Sequence, residues 1–219
     1  MARPGLPGDT DRLAVIGRTG SGKTQAAVWH LSRANWLRKP WYVLDFKGDG
    51  LIADIPRAKE VDIKDKPTRH AGIYILRPRP DQTDEVEEFL WKIWNNQNTG
   101  LYVDEGYMLG LYNAPFRALL TQGRSRHIPM IVLSQRPVFL DKFVWSEAGY
   151  YQIFHLNNDR DNRVVREFVP ANVKQRLPTY HSWYYDVSQD QLVVLRPVPD
   201  RDTILETFRD RVKMRKSKV

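Results

Sequence analysis

DRLAVIGRTGSGKTQAAVWHL, residues 11–31, sets two apolar runs on either side of a short segment holding three glycines, a lysine and a threonine. Glycine loses more conformational freedom on folding than any other residue, so a cluster of it needs a local reason. Residues 13–16 read as a buried strand, and the alanine-rich stretch after Lys23 reads as a helix. A strand, a glycine turn and a helix start in this order aim successive N–H groups inward and add the positive end of the helix. Such a turn is built to hold an anion.

The rest of the chain bounds what that anion-binding turn can belong to. The 219 residues are 42% apolar and 27% charged, the balance of one globular domain that buries its core without staples. There is no cysteine, which excludes disulfides and thiolate metal sites and fits a reducing cytosol. No apolar run approaches the roughly 20 residues of a membrane span, and MARPGLPGDT carries no signal-peptide core. The formal charge of +8 is unevenly placed. Residues 106–140 contain no acid but include Arg117, Arg124, Arg126 and Arg136, and residues 211–219 hold five bases and no acid. A polyanionic partner fits this distribution.

Short apolar strands alternate with helical stretches, which predicts an α/β fold with a mostly parallel sheet and flanking helices. Strands are expected at 13–16, 41–44, 73–76, 101–103, 130–133 and 151–154, several continuously apolar as for strands covered on both faces. Helices are expected at 23–36, 84–95, 115–122 and 160–168. The acids at the start of the second complement its dipole and read as structural. Residues 49–70 read as a loop-rich excursion, and HSWYYDVSQDQLVVLRPV as a hairpin turning at 188–190, followed by a helix over 201–212 and a basic tail. The expected division is an N-terminal extension (1–10), a core (11–178), and a hairpin, helix and tail (179–219) packed on it.

Gly17-Arg18-Thr19-Gly20-Ser21-Gly22-Lys23-Thr24 satisfies G-x-x-x-x-G-K-[ST] in the strand-to-helix context that gives the pattern its mechanism, the P-loop. All eight are expected to cradle ATP, with Lys23 on the β- and γ-phosphates and the Thr24 hydroxyl on Mg²⁺. The second half of such a site is a carboxylate at the end of another buried strand. TGLYVDEGY supplies Asp104 for the Mg²⁺ shell and Glu105 as general base for the attacking water. MIVLSQRP ends a further strand on Ser134 and Gln135, where an amide meets the γ-phosphate or the water.

GRTGSGKT, YVLDFKGDG, LYVDEGY and GRSRHIPMIVLSQRP, in this order, resemble the FtsK–HerA superfamily of DNA-pumping ATPases, and NDRDNRVVREF is a weaker echo. Phe46 stands where that family's D-P-K-G segment has proline. The resemblance implies a RecA-like sheet in which the Lys23 and Asp104 strands flank the strand carrying Gln135. It implies Glu105 as base and Gln135 as sensor. It also implies a ring, usually of six, with an arginine reaching across each boundary: Arg124 matches best, with Arg126 and Arg163 as further candidates. The membrane helices, winged helix and N-terminal barrel of cellular relatives have no counterpart here, so the chain is most similar to viral genome-packaging ATPases. The expectations are therefore an ATP-driven translocase of double-stranded DNA, a capsid portal or vertex partner, and a location in the host cytoplasm or the virion. A P-loop small-molecule kinase and a nucleotide-gated assembly or DNA-binding protein are the alternatives.

Overall fold

The computed structural model describes residues 5–216. Runs such as Leu13-Ala14-Val15-Ile16 and Trp41-Tyr42-Val43-Leu44 are buried on both faces, and their side chains divide alternately between two apolar layers. Strands β1 (Arg12–Ile16), β2 (Pro40–Asp45), β3 (Lys59–Glu60), β4 (Gly72–Leu76), β5 (Gly100–Asp104), β6 (Met130–Ser134), β7 (Tyr150–Ile153), β8 (Ser182–Asp186) and β9 (Gln191–Leu195) form one sheet. Its order is β3-β4-β2-β5-β6-β1-β7-β8-β9. Pairing is parallel from β3 to β7, and antiparallel where β8 joins β7 and β9 joins β8.

Helices α1 (Lys23–Arg33), α2 (Gly50–Ala53), α3 (Thr83–Asn96), α4 (Ala114–Gln122), α5 (Lys142–Ser146), α6 (Asp159–Phe168) and α7 (Arg201–Lys216) cover the two faces. On one face Ala14, Ile16, Tyr42 and Leu44 meet Phe89 and Ile93 of α3, Phe116 and Leu119 of α4, Trp145 of α5 and Val165 of α6. On the other, Leu13, Val15, Trp41 and Val43 meet Ala27 and Leu31 of α1, Ile52 of α2, and Ile204 and Phe208 of α7. Each such side chain contributes about 1.5–3 kcal/mol by burial. The expected doubly covered, mostly parallel sheet is the observed one, with β6 between β5 and β1.

Several boundaries differ, for local reasons. α1 stops at Arg33 because Ala34 turns extended (ψ 171°), and Trp36 instead packs on Phe208 with ring centroids 5.6 Å apart. The 49–70 excursion holds α2, capped by Asp49 accepting from the Leu51 and Ile52 amides, and the two-residue β3. α5 starts where Asp141 accepts from the Phe143 amide. The end of the chain is helical to Lys216, and its cations are partly committed. Arg211 Nη1 donates to the Ala34 carbonyl at 2.6 Å and Arg215 Nη1 to Leu37 at 2.5 Å, so these guanidiniums close the C-terminal turns around α1 rather than standing free. Residues 217–219 of the expected tail and 1–4 of the expected extension lie outside the described residues.

Candidate nucleotide site

The parallel strands all deliver their carboxyl ends to one edge, and the glycine turn sits there between β1 and α1. Gly20 (φ +75°) and Gly22 (φ +92°) hold left-handed conformations that let the turn curl under the first turn of α1. Arg18, Thr19 and Gly20 are exposed, Gly17 is buried, and Ser21, Gly22 and Thr24 are half-buried. The Gly17 amide donates to Ser134 O at 3.1 Å and the Ser21 amide to Arg18 O at 3.2 Å, anchoring the turn to β6. The opening amides of α1 have no partner within their own helix, so they aim into the turn.

Lys23, buried at the start of α1, places Nζ 3.1 Å from Glu105 Oε1. Asp104 ends β5 and faces Asp45 at the same level of β2. Asp45 is neutralised by Arg77, whose Nε lies 3.1 Å from Oδ2, and it also accepts the Asp49 amide at 3.0 Å. Among the described residues no lysine or arginine forms such an ion pair with Asp104. Its buried Oδ1 lacks a hydrogen-bond partner, and its pKa is pushed up to about 7, first by burial and then by Glu105, with Lys47 and Lys23 acting against that. A buried carboxyl oxygen without a hydrogen-bond partner fits a hard, oxygen-seeking cation, and Thr24 in the first turn of α1 offers a hydroxyl on the same edge of the sheet. Among the described residues no cluster of three or more His, Asp or Glu forms a protein-only cage.

Glu105 is fully buried and left-handed (φ 58°, ψ 63°), a conformation costing a non-glycine residue about 1–3 kcal/mol. Its Oε2 accepts the Gln135 amide at 3.2 Å, and its Oε1 also receives the ammonium of Lys47. Gln135, just past β6, accepts from Thr19 Oγ1 at 2.5 Å and donates to the Tyr107 hydroxyl at 3.4 Å. One amide thus ties the glycine turn to the segment after Glu105. Lys23 and Gln135 both contact Glu105, Asp104 precedes it at the end of β5, and Thr24 is half-buried in the first turn of α1. The structure adds Lys47 and Asp45 from the D-F-K-G segment and Tyr107 from the end of LYVDEGY.

Two of the three arginine candidates, Arg124 and Arg126, are elsewhere. Arg124 follows α4 and precedes β6 at the opposite edge of the sheet, where the charge of Arg12, the first residue of β1, feels it. Five strand residues separate the two edges, about 16 Å. Arg124 is exposed and, among the described residues, makes no side-chain hydrogen bond or ion pair. Arg126, on the same edge, stacks on Trp94 with its guanidinium carbon 3.3 Å from the ring centroid. Arg163 is exposed on α6, which starts past the end of β7 on the edge that bears the glycine turn.

No protein-family model matches the chain. The DNA packaging ATPase P9 of Enterobacteria phage PRD1 is 46% identical over 214 residues, covering 93% of this chain and 94% of the relative. The genome packaging NTPase B204 of Sulfolobus turreted icosahedral virus 2, solved in complex with AMPPCP, superposes with a TM-score of 0.68 at 17% identity, over 88% of this chain and 99% of that one. ATPases 2 and 3 of EssC from Geobacillus thermodenitrificans superpose with a TM-score of 0.64 at 11% identity, over 95% of this chain and 44% of that one. At such identities the two structures speak for the fold alone, and the phage relative speaks for descent. No helix of the described residues is long and apolar enough to cross a membrane. With 46% identity to the phage packaging ATPase over nearly the whole of both chains, on a sheet of the order described above, the chain belongs to the family of viral DNA-packaging ATPases.

Proposed function

We propose that this ATPase hydrolyses ATP at the boundaries of a six-membered ring and uses the cycle to draw double-stranded DNA into a capsid, docked on a portal or vertex protein. The nucleotide lies in the turn of Gly17, Arg18, Thr19, Gly20, Ser21, Gly22, Lys23 and Thr24, as the complex of the archaeal-virus NTPase with AMPPCP suggests by analogy. Thr24 and Asp104 would hold Mg²⁺, which would supply positive charge against the negative charge that develops on the phosphates. Lys23 turns from Glu105 to the phosphates. Glu105 takes the proton of the attacking water, and Gln135, tied to Thr19, registers the γ-phosphate and passes its loss to the Tyr107 segment. Arg124, on the far edge, serves the neighbouring subunit's nucleotide. A ring of like-oriented subunits needs two different faces at each boundary, one for the turn and one for the arginine. The host cytoplasm and the virion are the places where such a motor works.

The Lys23–Glu105 pair at 3.1 Å, next in sequence to Asp104 with its unpartnered Oδ1, supports this reading, because a cation and two carboxyls at one strand end are what phosphate binding, metal binding and base catalysis call for. Phosphate release measured with and without linear duplex DNA tests it. The rate should rise with DNA and vanish in Lys23→Ala. Turnover that needs a small-molecule acceptor and ignores DNA would instead place the chain among kinases.

A further inference from the structure

Lys47 lies in the turn between β2 and α2, and nothing in the hydrolytic scheme above uses it. Its ammonium contacts Glu105 Oε1, the oxygen that also faces Lys23 at 3.1 Å. Both lone-pair directions of Oε1 are therefore taken by ammoniums, and Oε2 already receives the Gln135 amide. The two lysines differ in what can draw them off. A phosphate chain in the glycine turn competes for Lys23, which opens α1 inside that turn. Lys47 is outside the turn, with a side chain 41% exposed, and the next residue, Gly48, is left-handed at φ +67°. The turn can thus swing the ammonium away from the carboxylate without breaking a strand, while Asp45, holding the Asp49 amide at 3.0 Å, keeps the far end of the turn fixed.

We infer that Lys47 is a positioning residue that restrains Glu105, so that hydrolysis is slow until the 46–49 turn releases the carboxylate. A half-exposed ammonium in a DNA-packaging ATPase finds its competing acceptor in a backbone phosphate, which ties release to DNA. The inference rests on Glu105 being the base. It separates Lys47 from residues that assist chemistry by the sign of the effect: removing a restraint speeds turnover without DNA.

The test measures kcat and KM for ATP, with and without linear duplex DNA, in Lys47→Met, Lys47→Ala, Lys47→Arg and the double variant Lys47→Met/Glu105→Gln, with melting temperatures alongside. A charge-assisted contact at a partly exposed site corresponds to about a three- to tenfold change in rate. Lys47→Met and Lys47→Ala should raise the DNA-free kcat by that factor, leave KM within about twofold, and lose most of the stimulation by DNA. Lys47→Arg should behave as the parent, and the double variant should be inactive. A DNA-free kcat that falls or stays at the parental value in Lys47→Met overturns the restraint while leaving Glu105 as base untouched. A double variant as active as Lys47→Met removes Glu105 as base, and the restraint with it.

Discussion

Glu105 occupies a backbone conformation that disfavours a glutamate, in a fully buried position, with three donors on its carboxylate. Such strain persists only where the surroundings over-determine it, and here those surroundings are two lysines and an amide. Glu105→Gln keeps the size and the ability to accept the Gln135 amide but cannot take a proton. Nucleotide affinity should be retained while kcat drops about 10²–10⁴-fold, read by single-turnover hydrolysis beside equilibrium binding. Asp104 differs in kind, since its buried Oδ1 has no hydrogen-bond partner among the described residues. Asp104→Asn should weaken the Mg²⁺ dependence of turnover about 10–100-fold in a metal titration, with ATP affinity in excess metal little changed. Parallel metal curves for variant and parent would take Asp104 out of the metal's shell. Lys23 was legible through the glycine pattern before it, and Asp104, Glu105 and Gln135 because they follow apolar runs whose ends converge in a parallel sheet. Lys47 was not. Its contact with Glu105 exists only because β2 lies beside β5, a neighbourhood that chain order does not reveal.

At the scale of elements, a buried polar line joins the nucleotide helix to the C-terminal hairpin. His30 of α1 lies 2.8 Å from Gln152 Oε1 of β7, and Gln152 Nε2 donates to Ser182 Oγ of β8 at 2.9 Å. Burial holds the His30 imidazole down to about 4, against its ordinary 6.5. Between those values the unfolded chain carries a proton that the folded chain refuses. Stability is therefore fully present above about pH 6.5 and falls as pH drops toward 4, by up to about 3 kcal/mol for this one group. His30→Gln keeps a polar partner for Gln152 and removes the titration. Its melting temperature should fall less than the parent's between pH 7 and 4.5, whereas equal falls would show that other groups carry the acid sensitivity. The central strands were legible because sandwiched strands are continuously apolar. The elements α2, β3 and α5 were not, since pieces of two to five residues have no period to read and owe their form to caps such as Asp49 and Asp141. The length of α7 escaped because its polar end is held by guanidinium contacts to the turns after α1 rather than by an apolar stripe.

Taken whole, the molecule presents two unlike edges. One gathers the glycine turn and the acids. The other carries Arg124, exposed, near enough to the buried Arg12 for the two charges to be felt. That opposition follows from topology, because a residue just before a strand and a residue just after its neighbour lie a strand's length apart. The order of motifs in the sequence carried this much, but not which arginine remains uncommitted. Only the fold shows Arg126 spent on Trp94. If the arginine acts across a boundary, Arg124→Ala should bind ATP normally and turn over about 10³–10⁵-fold more slowly. The direct measurement is the ATPase rate of Arg124→Ala mixed with Glu105→Gln, each inactive alone. Mixed rings contain some boundaries with an intact turn facing an intact arginine, so the account predicts that activity partly returns on mixing. Mixtures that assemble but stay as inactive as their parents would contradict it.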